Sequence, residues 1–227
     1  VIIEHLTSDV PLIPEIAQHL IAAGGKRIRP LMTLLAAKLY GYEGDRHRFL
    51  AACVEFIHTA TLLHDDVVDA SDLRRGRESA NAIWGNQSSV LVGDFLFSRA
   101  FQLMVADGDL EVLKILCDAS ARIAEGEVFQ LTTAQDLHLS LNDYFKVIES
   151  KTAVLFAAAS EVGAVVAKAP KGDQEHLRQL GLHLGILFQL MDDVLDYKGH
   201  KDSFGKNLGN DFKEGKMTLP LLLTIQA

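Results

Sequence analysis

The distribution of proline constrains this chain more than any other feature of its sequence. Five prolines occur in 227 residues, and none lies between Pro30 and Pro170. Because proline breaks helices, so long an interval without it permits long uninterrupted helices. Apolar residues recur within it at helical spacing, as at Leu110, Leu113 and Cys117, whereas alternation with a period of two residues is hard to find. The chain is therefore predicted to be all-α.

Glycine-containing stops and caps divide this pattern into separate helices. We expect helices over residues 12–23, 28–40, 46–70, 88–107, 109–131, 141–168, 173–197 and from 219 onward. The expected architecture is one domain spanning residues 1–227, a bundle of long, mostly antiparallel helices around a central cavity. Residues 198–217 form the one long polar segment, and an ordered loop of that length often acts as a lid over a site.

Composition limits the functions open to the chain. It carries 22 Lys and Arg against 30 Asp and Glu, a net charge of −8, which argues against a nucleic-acid partner. Two cysteines, Cys53 and Cys117, cannot build a disulfide framework, so a reducing, cytoplasmic location is expected. No apolar run reaches the roughly 18 residues of a membrane span, so no transmembrane segment is expected.

Two acidic motifs carry the strongest chemical signal. The sequence DDVVD places Asp65 and Asp69 four residues apart, on one face of a helix, and DDVLD repeats the pattern with Asp192 and Asp196. Like charges at that spacing repel unless a cation lies between them, and carboxylate oxygens suit Mg²⁺. Two such motifs at the ends of apolar helices predict a divalent-metal site. Asp66 lies about 100° around the helix from Asp65 and is expected to support the site.

Basic segments accompany both acidic motifs. The sequence GGKRIRP supplies Lys26 and Arg29 beside glycines that let the backbone approach an anion, and it lacks the spacing of a Walker A loop. Arg74 and Arg75 follow the first motif, where they either pair with its acids or bind an anion beside the metal. Residues 204–216 add further glycines and lysines after the second motif. Acids for a metal and cations for anions together predict a polyanionic substrate bound with Mg²⁺.

The motifs as a set resemble those of one enzyme family. Five segments resemble those of the trans-isoprenyl diphosphate synthases in content, order and spacing. They are GGKRIRP, LLHDDVVDASDLRRG, SKTAVLF, FQLMDDVLDY and GKNLGNDFKEGKMTLPLL. The resemblance covers essentially the whole chain and is strongest to the bacterial octaprenyl diphosphate synthases, which supply quinone side chains such as that of ubiquinone. It implies a homodimeric, Mg²⁺-dependent prenyltransferase that condenses an allylic diphosphate, expected to be farnesyl diphosphate, with successive isopentenyl diphosphates. The implied product is a long all-trans polyprenyl diphosphate, with C40 favoured.

The resemblance also assigns roles to individual residues. The residues implied to bind Mg²⁺ are Asp65, Asp69, Asp192, Asp193 and Asp196. Those implied to contact the allylic diphosphate are Arg74, Lys151, Thr152, Gln189, Lys206 and Lys216, and all of these except Arg74 are expected to be catalytic. Those implied to hold isopentenyl diphosphate are Lys26, Arg29, His58 and Arg75. The small residues Ala60 and Thr61 are expected to leave an apolar product tunnel open, which favours a long chain.

Some features depart from the family pattern. Met217 stands where the family commonly has proline, and Arg77 and Glu78 differ from the usual residues after the RRG segment. Family members usually continue beyond LPLL, so the chain is expected to lack its C-terminal helices.

The sequence disfavours three alternative functions. A class I terpene cyclase is disfavoured by the GGKRIRP loop and the second full DDxxD. An inactive partner subunit is disfavoured because both acidic motifs are intact, and a di-iron bundle would need Glu-x-x-His pairs.

Overall fold

The structure, a computed structural model, describes residues 1–198 and 209–226, and the all-α prediction is confirmed. The helices are α1 (Leu12–Ala22), α2 (Ile28–Leu39), α3 (Arg46–Val68), α4 (Ala80–Asp107), α5 (Leu110–Thr133), α6 (Leu141–Ile148), α7 (Val154–Val166), α8 (Lys171–Lys198), α9 (Asn210–Lys213) and α10 (Leu219–Gln226). A 3-10 turn, Ile3–Leu6, precedes α1, and a five-residue π-helical segment, Glu149–Ala153, joins α6 to α7. A short antiparallel hairpin of β1 (Leu73–Arg74) and β2 (Arg77–Glu78) joins α3 to α4.

Helices α3 and α7 form the centre of the bundle. Helix α7 is buried at every position except Glu161, so it is apolar all round, as a core helix must be. Glycines let its neighbours approach closely. A Cβ on Gly163 would lie 2.4 Å from the carbonyl oxygen of Thr33 in α2, and one on Gly181 would lie 2.4 Å from that of Phe156. Helix α7 is therefore held tightly between α2 and α8.

The predicted helices have the same order as those of the structure, but eight were expected and the described residues form ten, and the two sets differ at three places. Helix α4 begins at Ala80 and not at 88, because the chain kinks at Gly85 (φ 82°, ψ 160°) and then resumes the helix. The single helix expected over 141–168 is α6 and α7 with the π-helical segment between them. The loop expected over 198–217 contains the short helix α9, and its residues 199–208 lie outside the described residues.

The hairpin between α3 and α4 was not predicted. Its two turn residues, Arg75 (φ 52°) and Gly76 (φ 76°), both have positive φ, as a tight two-residue hairpin turn requires. Strands of two residues are too short to show alternation in a sequence. The hairpin turns the chain back towards the end of α3, and this brings Arg74 to the first acidic motif.

Helix α4 is the one helix in the described part of the chain that is long and apolar enough to cross a bilayer, with a mean hydropathy of 1.4 in its most apolar window. Length and composition alone are weak evidence, because core helices of water-soluble proteins meet the same criterion. Helix α4 packs along α3 and contributes Leu96, Ala100 and Met104 to the core.

Candidate active site

A cavity of about 660 Å³ lies among α2, α3, α5, α7 and α8, and a second of about 170 Å³ adjoins it. Both are lined by Asp65, Arg74, Lys151 and Asp192, so they are two parts of one site. The predicted site residues that line one or both are Lys26, Arg29, His58, Thr61, Asp65, Asp69, Arg74, Arg75, Lys151, Thr152, Gln189, Asp192, Asp193, Asp196 and Lys216. The fold therefore brings together groups that the sequence spreads over nearly its whole length.

Arg74 is fixed by the first acidic motif. Asp66 is fully buried, and both of its carboxylate oxygens accept a hydrogen bond from Arg74 Nε at 2.8 Å. Arg74 Nη2 lies 2.6 Å from Asp66 Oδ1. Such a bidentate pair fixes the orientation of the guanidinium as well as its position. Asp66 thus supports the site by holding a cation at the edge of the cavity, and both of its oxygens are engaged in that contact.

Asp65 and Asp69 differ in their surroundings although they share one helix face. The pKa of Asp65 is raised to about 6, chiefly by burial; Lys151 opposes the rise, and the nearby Glu127 and Asp69 contribute to it. Asp69 lies at the end of α3 and accepts a hydrogen bond from Lys216 Nζ at 2.8 Å. Two acids that crowd together and are partly desolvated favour an added positive charge between them.

Lys216 closes the site from the opposite end of the chain. Its Nζ lies 2.8 Å from Asp69 and 2.7 Å from Glu214. Burial lowers the pKa of Lys216, but these two carboxylates outweigh burial and raise it above its ordinary value. Lys216 therefore stays charged in the site.

The two neighbouring acids of the second motif point in different directions. Asp192 is exposed and lines both cavities. Asp193 is 2% exposed; its Oδ1 accepts a hydrogen bond from Gln189 Nε2 at 2.8 Å and its Oδ2 accepts one from the Tyr144 hydroxyl at 2.6 Å. Burial raises the pKa of Asp193, and these two hydrogen bonds oppose the rise. Asp196 Oδ2 accepts the backbone N–H of Asp211 at 3.2 Å.

The π-helical segment presents Lys151 and Thr152 to the cavity. A π turn holds one more residue than an α turn, and such insertions are frequent at functional sites. Lys151 Nζ donates to Glu127 Oε2 at 2.7 Å and to Gln130 Oε1 at 3.0 Å, both on α5. Thr152 Oγ1 donates to Gln189 Oε1 at 2.7 Å. Both predicted diphosphate contacts are thus anchored by side chains of neighbouring helices.

A basic wall occupies the other side of the larger cavity. Arg29 Nη1 lies 3.2 Å from His58 Nε2, and its guanidinium carbon lies 4.3 Å from the centre of the Phe156 ring. Burial, and then the neighbouring Arg75, lower the pKa of Arg29 to about 9. Burial and the surrounding arginines also hold the pKa of His58 well below its usual range. Because arginine can only donate, His58 Nε2 is the acceptor and the ring is neutral. Crowded cations of this kind favour an incoming anion.

The glycines of GGKRIRP have a steric role beside this wall. Arg75 donates a hydrogen bond to the carbonyl oxygen of Gly24, and a Cβ on Gly25 would lie 2.8 Å from Arg75 Nη1. Gly25 also has φ 137°, which side chains other than glycine rarely adopt. The two glycines therefore allow Arg75 to lie against the backbone at the start of α2.

Several residues that build the site were missed by the sequence analysis. Arg27, in left-handed conformation (φ 50°), donates to the buried carboxylate of Glu55 and to the carbonyl oxygen of Ile21. Glu55 interrupts the apolar run AACVEFIH, and an acid at such a place needs a buried partner, so a signal was present. Glu127 and Tyr144 were missed because their partners lie on other helices.

The two residues expected to shape the product tunnel are placed differently. Thr61 lines the larger cavity and donates to the carbonyl oxygen of His58 at 2.8 Å. Ala60 is fully buried in the core. Neighbouring residues on a helix point about 100° apart, so one of the two faces the cavity and the other the core. Lys206 lies outside the described residues.

The side chains that the structure describes do not by themselves form a complete metal site. Within residues 1–198 and 209–226, no three His, Cys, Asp or Glu side chains come close enough together to hold an ion. Asp65, Asp69 and Asp192 line the 170 Å³ cavity from two helices.

Comparison with known proteins gives consistent matches along the chain. The profile of the polyprenyl synthetase family matches residues 10–227. Octaprenyl diphosphate synthase of Escherichia coli (strain K12) is 51% identical over 221 residues, which cover 97% of this chain and 68% of that enzyme. A polyprenyl synthase from Caulobacter crescentus CB15, crystallised with calcium and isoprenyl diphosphate, is 60% identical with a TM-score of 0.97, covering 99% of this chain and 69% of that one. A decaprenyl diphosphate synthase from Rhodobacter capsulatus is 55% identical with a TM-score of 0.94, and the match covers 99% of this chain and 70% of that one.

Proposed function

The chain belongs to the polyprenyl synthetase family of prenyltransferases, and we propose that it condenses farnesyl diphosphate with successive isopentenyl diphosphates to a long all-trans polyprenyl diphosphate. A C40 product for quinone side chains is proposed from the similarity to octaprenyl synthases, although a decaprenyl synthase is similar as well. One observation carries the proposal. Two adjoining cavities combine carboxylates and cations with a basic wall, as two diphosphate substrates require.

The carboxylates suit Mg²⁺ as the cofactor. Hard oxygen ligands are offered by two helices, on Asp65 and Asp69 of α3 and on Asp192 and Asp196 of α8. Mg²⁺ is usually shared with substrate phosphates. Asp193 is included in the proposed metal region, but its oxygens are already used by Tyr144 and Gln189. When bound, the ion would neutralise charge on the diphosphate and so make it a better leaving group.

The allylic diphosphate is proposed to lie between Arg74, Lys151 and Lys216. Asp66 holds the Arg74 guanidinium in a fixed orientation, so its charge needs no reorganisation when the diphosphate departs. Thr152 and Gln189 would contact the same group, and Lys206 is proposed to join them from outside the described residues. As the allylic carbon–oxygen bond breaks, these cations stabilise the charge that develops on the leaving oxygen.

Isopentenyl diphosphate is proposed to bind at the basic wall of Arg29, His58, Lys26 and Arg75. Its double bond then forms a bond to the allylic carbon, and the proton lost from the adduct goes to the released diphosphate. Phe156 and Phe188 line the larger cavity, and they are proposed to keep water from the reacting carbon. Thr61, a small side chain in the wall, leaves room for the growing product.

We further propose that residues 1–227 form one isoprenoid synthase domain and act as a homodimer in the cytoplasm, with no transmembrane segment.

The test is a product assay. The protein is incubated with farnesyl diphosphate, radiolabelled isopentenyl diphosphate and Mg²⁺, and the products are separated by chain length; a parallel reaction contains EDTA. We expect a ladder that requires Mg²⁺ and ends at C40. A ladder ending elsewhere would overturn the chain length alone. Conversion of farnesyl diphosphate to hydrocarbon without elongation would indicate a cyclase, and no reaction would favour a partner subunit.

A further inference from the structure

The second acidic motif contains one acid that is turned away from the cavity. Asp193 is 2% exposed, and each of its carboxylate oxygens accepts a hydrogen bond within the protein. Asp192, one position earlier, is exposed and lines both parts of the cavity. The structure thus distinguishes two adjacent carboxylates that look equivalent in sequence. Something must hold Asp193 in its inward orientation.

Tyr144 provides that hold. Its side chain is 3% exposed and packs in an apolar cluster with Leu139, Met217 and Leu222. The ring is therefore immobilised, and its hydroxyl donates to Asp193 Oδ2 at 2.6 Å. Helix α6 carries Tyr144 and leads directly into the π-helical segment with Thr152, so the contact joins that segment to α8.

The hydrogen bonds form a chain with a defined direction. An ionised Asp193 can only accept, so Gln189 presents its amide NH₂ to it at 2.8 Å. The Gln189 carbonyl oxygen then faces Thr152, whose hydroxyl donates to it at 2.7 Å. The Gln189 NH₂ carries a second N–H, which can donate to an anion in the cavity that Gln189 lines. Tyr144 thereby fixes which end of the Gln189 amide faces the allylic diphosphate site.

We propose that Tyr144 is a positioning residue for the allylic diphosphate and its metal, acting through Asp193 and Gln189. The proposal rests on the proposed function for the identity of the substrate. Without the hydroxyl, Asp193 Oδ2 is left buried with no donor, which is costly. The carboxylate then turns outward or takes up water, and Gln189 loses its fixed orientation. The basic wall around Arg29 and His58 is untouched by this change.

The test compares Tyr144→Phe, which removes one oxygen atom, with Asp193→Asn and with the double variant. Tyr40→Phe is the matched control, since Tyr40 also lies near an aspartate, Asp173, that affects its hydroxyl, but outside the cavity. The dissociation constant of inorganic diphosphate is measured calorimetrically at saturating Mg²⁺. Kinetic assays give KM for each substrate, and urea unfolding reports stability.

We expect Tyr144→Phe to raise the dissociation constant of diphosphate and KM for farnesyl diphosphate roughly 10-fold, the lower end of what loss of a partner behind metal ligands usually costs. KM for isopentenyl diphosphate should change less than about twofold. Because Tyr144 acts through Asp193, the double variant should bind diphosphate no more weakly than Asp193→Asn alone. Tyr40→Phe should match the wild-type protein in every binding measurement.

Three results would overturn the inference. The first is unchanged diphosphate binding in Tyr144→Phe, and the second is an equal rise in KM for both substrates. The third is a double variant in which the losses of diphosphate affinity from the two single substitutions add. A fall in kcat with both KM values unchanged would indicate a merely structural role and overturn it too. If the wild-type protein makes no polyprenyl product, the proposed function fails, and the diphosphate titrations still decide the role of Tyr144. A wild-type protein that binds no diphosphate overturns both.

Discussion

Lys216 Nζ lies 2.8 Å from Asp69 Oδ2, so a cation proposed for the substrate and a carboxylate proposed for the metal neutralise each other. Lys151 makes the same kind of contact with Glu127 at 2.7 Å. The site therefore balances much of its own charge. Binding of a metal with a diphosphate can exchange these internal ion pairs for new ones, whereas a metal alone takes Asp69 from Lys216, which then keeps its pair with Glu214.

The first prediction is that Mg²⁺ and diphosphate bind together. Mg²⁺ alone should raise the melting temperature by less than about 1 °C, because it must displace Lys216 from Asp69. Mg²⁺ with inorganic diphosphate at about 100 times its dissociation constant should add about 2.7 kcal/mol of stability. That corresponds to a rise of about 5–10 °C for a chain of this size. Thermal unfolding followed by circular dichroism measures both.

A substitution of Lys216 should affect the binding of Mg²⁺ and the binding of diphosphate in opposite directions. Lys216→Met frees Asp69, so binding of Mg²⁺ alone should strengthen while binding of diphosphate with Mg²⁺ weakens. Calorimetric titration measures both constants, and Lys213→Met, at an exposed position nearby, is the matched control. If both constants move in the same direction in Lys216→Met, the competition between the lysine and the metal is refuted.

The second prediction concerns the ion pair beneath the GGKRIRP loop. The Glu55 carboxylate is buried and accepts a hydrogen bond from Arg27, which is itself about one-third exposed. Glu55→Gln keeps the shape but removes the charge, so we expect a loss of about 1.5–3 kcal/mol in the free energy of unfolding by urea. Asp118→Asn removes an exposed pair with Lys114 and should cost less than about 0.5 kcal/mol. Equal losses of stability in the two variants would show that the buried ion pair contributes no more to folding than the exposed one.

The third prediction is a pH dependence of stability that originates in His58. Burial, followed by Arg29, Arg75, Arg74 and Arg27, lowers the pKa of His58 in the folded protein well below 6.5. Below pH 6.5 the unfolded chain therefore binds a proton that the folded protein does not, and stability falls as pH falls. Between pH 7.5 and pH 5.5 the loss from this group should be about 1.4 kcal/mol.

The measurement is urea unfolding of the wild-type protein and of His58→Asn at both pH values. His58→Asn should lose less stability on acidification than the wild-type protein, and other titrating groups cancel in the comparison. His176→Asn is the control, since the His176 side chain is 83% exposed. A wild-type and a His58→Asn protein that lose equal stability would contradict the assigned cause.

What the sequence predicted well was local. Helical spacing depends on residues three or four apart, so α1, α2 and α3 were placed within two residues of their ends. The acidic motifs are equally local, and together with the basic segments they were sufficient to identify the family. The direction in which Asp193 points was not predictable, because it depends on Tyr144, 49 residues away on another helix. The same holds for Arg27 and Glu55, 28 residues apart.

Two irregularities of the backbone were also not predicted from the sequence. The π-helical segment Glu149–Ala153 spans only five residues, too few to show a period different from that of its flanking helices. Gly85 resembled a helix end because glycine often ends helices, yet the helix continues after one non-helical residue. In both cases tertiary packing decides between alternatives that local sequence leaves equal in energy.

The last prediction tests the close packing that holds the site helices together. A Cβ on Gly181 would lie 2.4 Å from the Phe156 carbonyl oxygen and 2.8 Å from the Cα of Ala157, so Gly181→Ala forces α8 away from α7. We expect a loss of about 1–3 kcal/mol in the free energy of unfolding. Gly172→Ala, near the start of the same helix with open space around it, should be neutral or stabilising by up to about 1 kcal/mol. Because α8 carries Asp192 and Gln189, Gly181→Ala should also weaken diphosphate binding measured calorimetrically. Normal stability in Gly181→Ala would mean that α7 and α8 are not packed as closely as described.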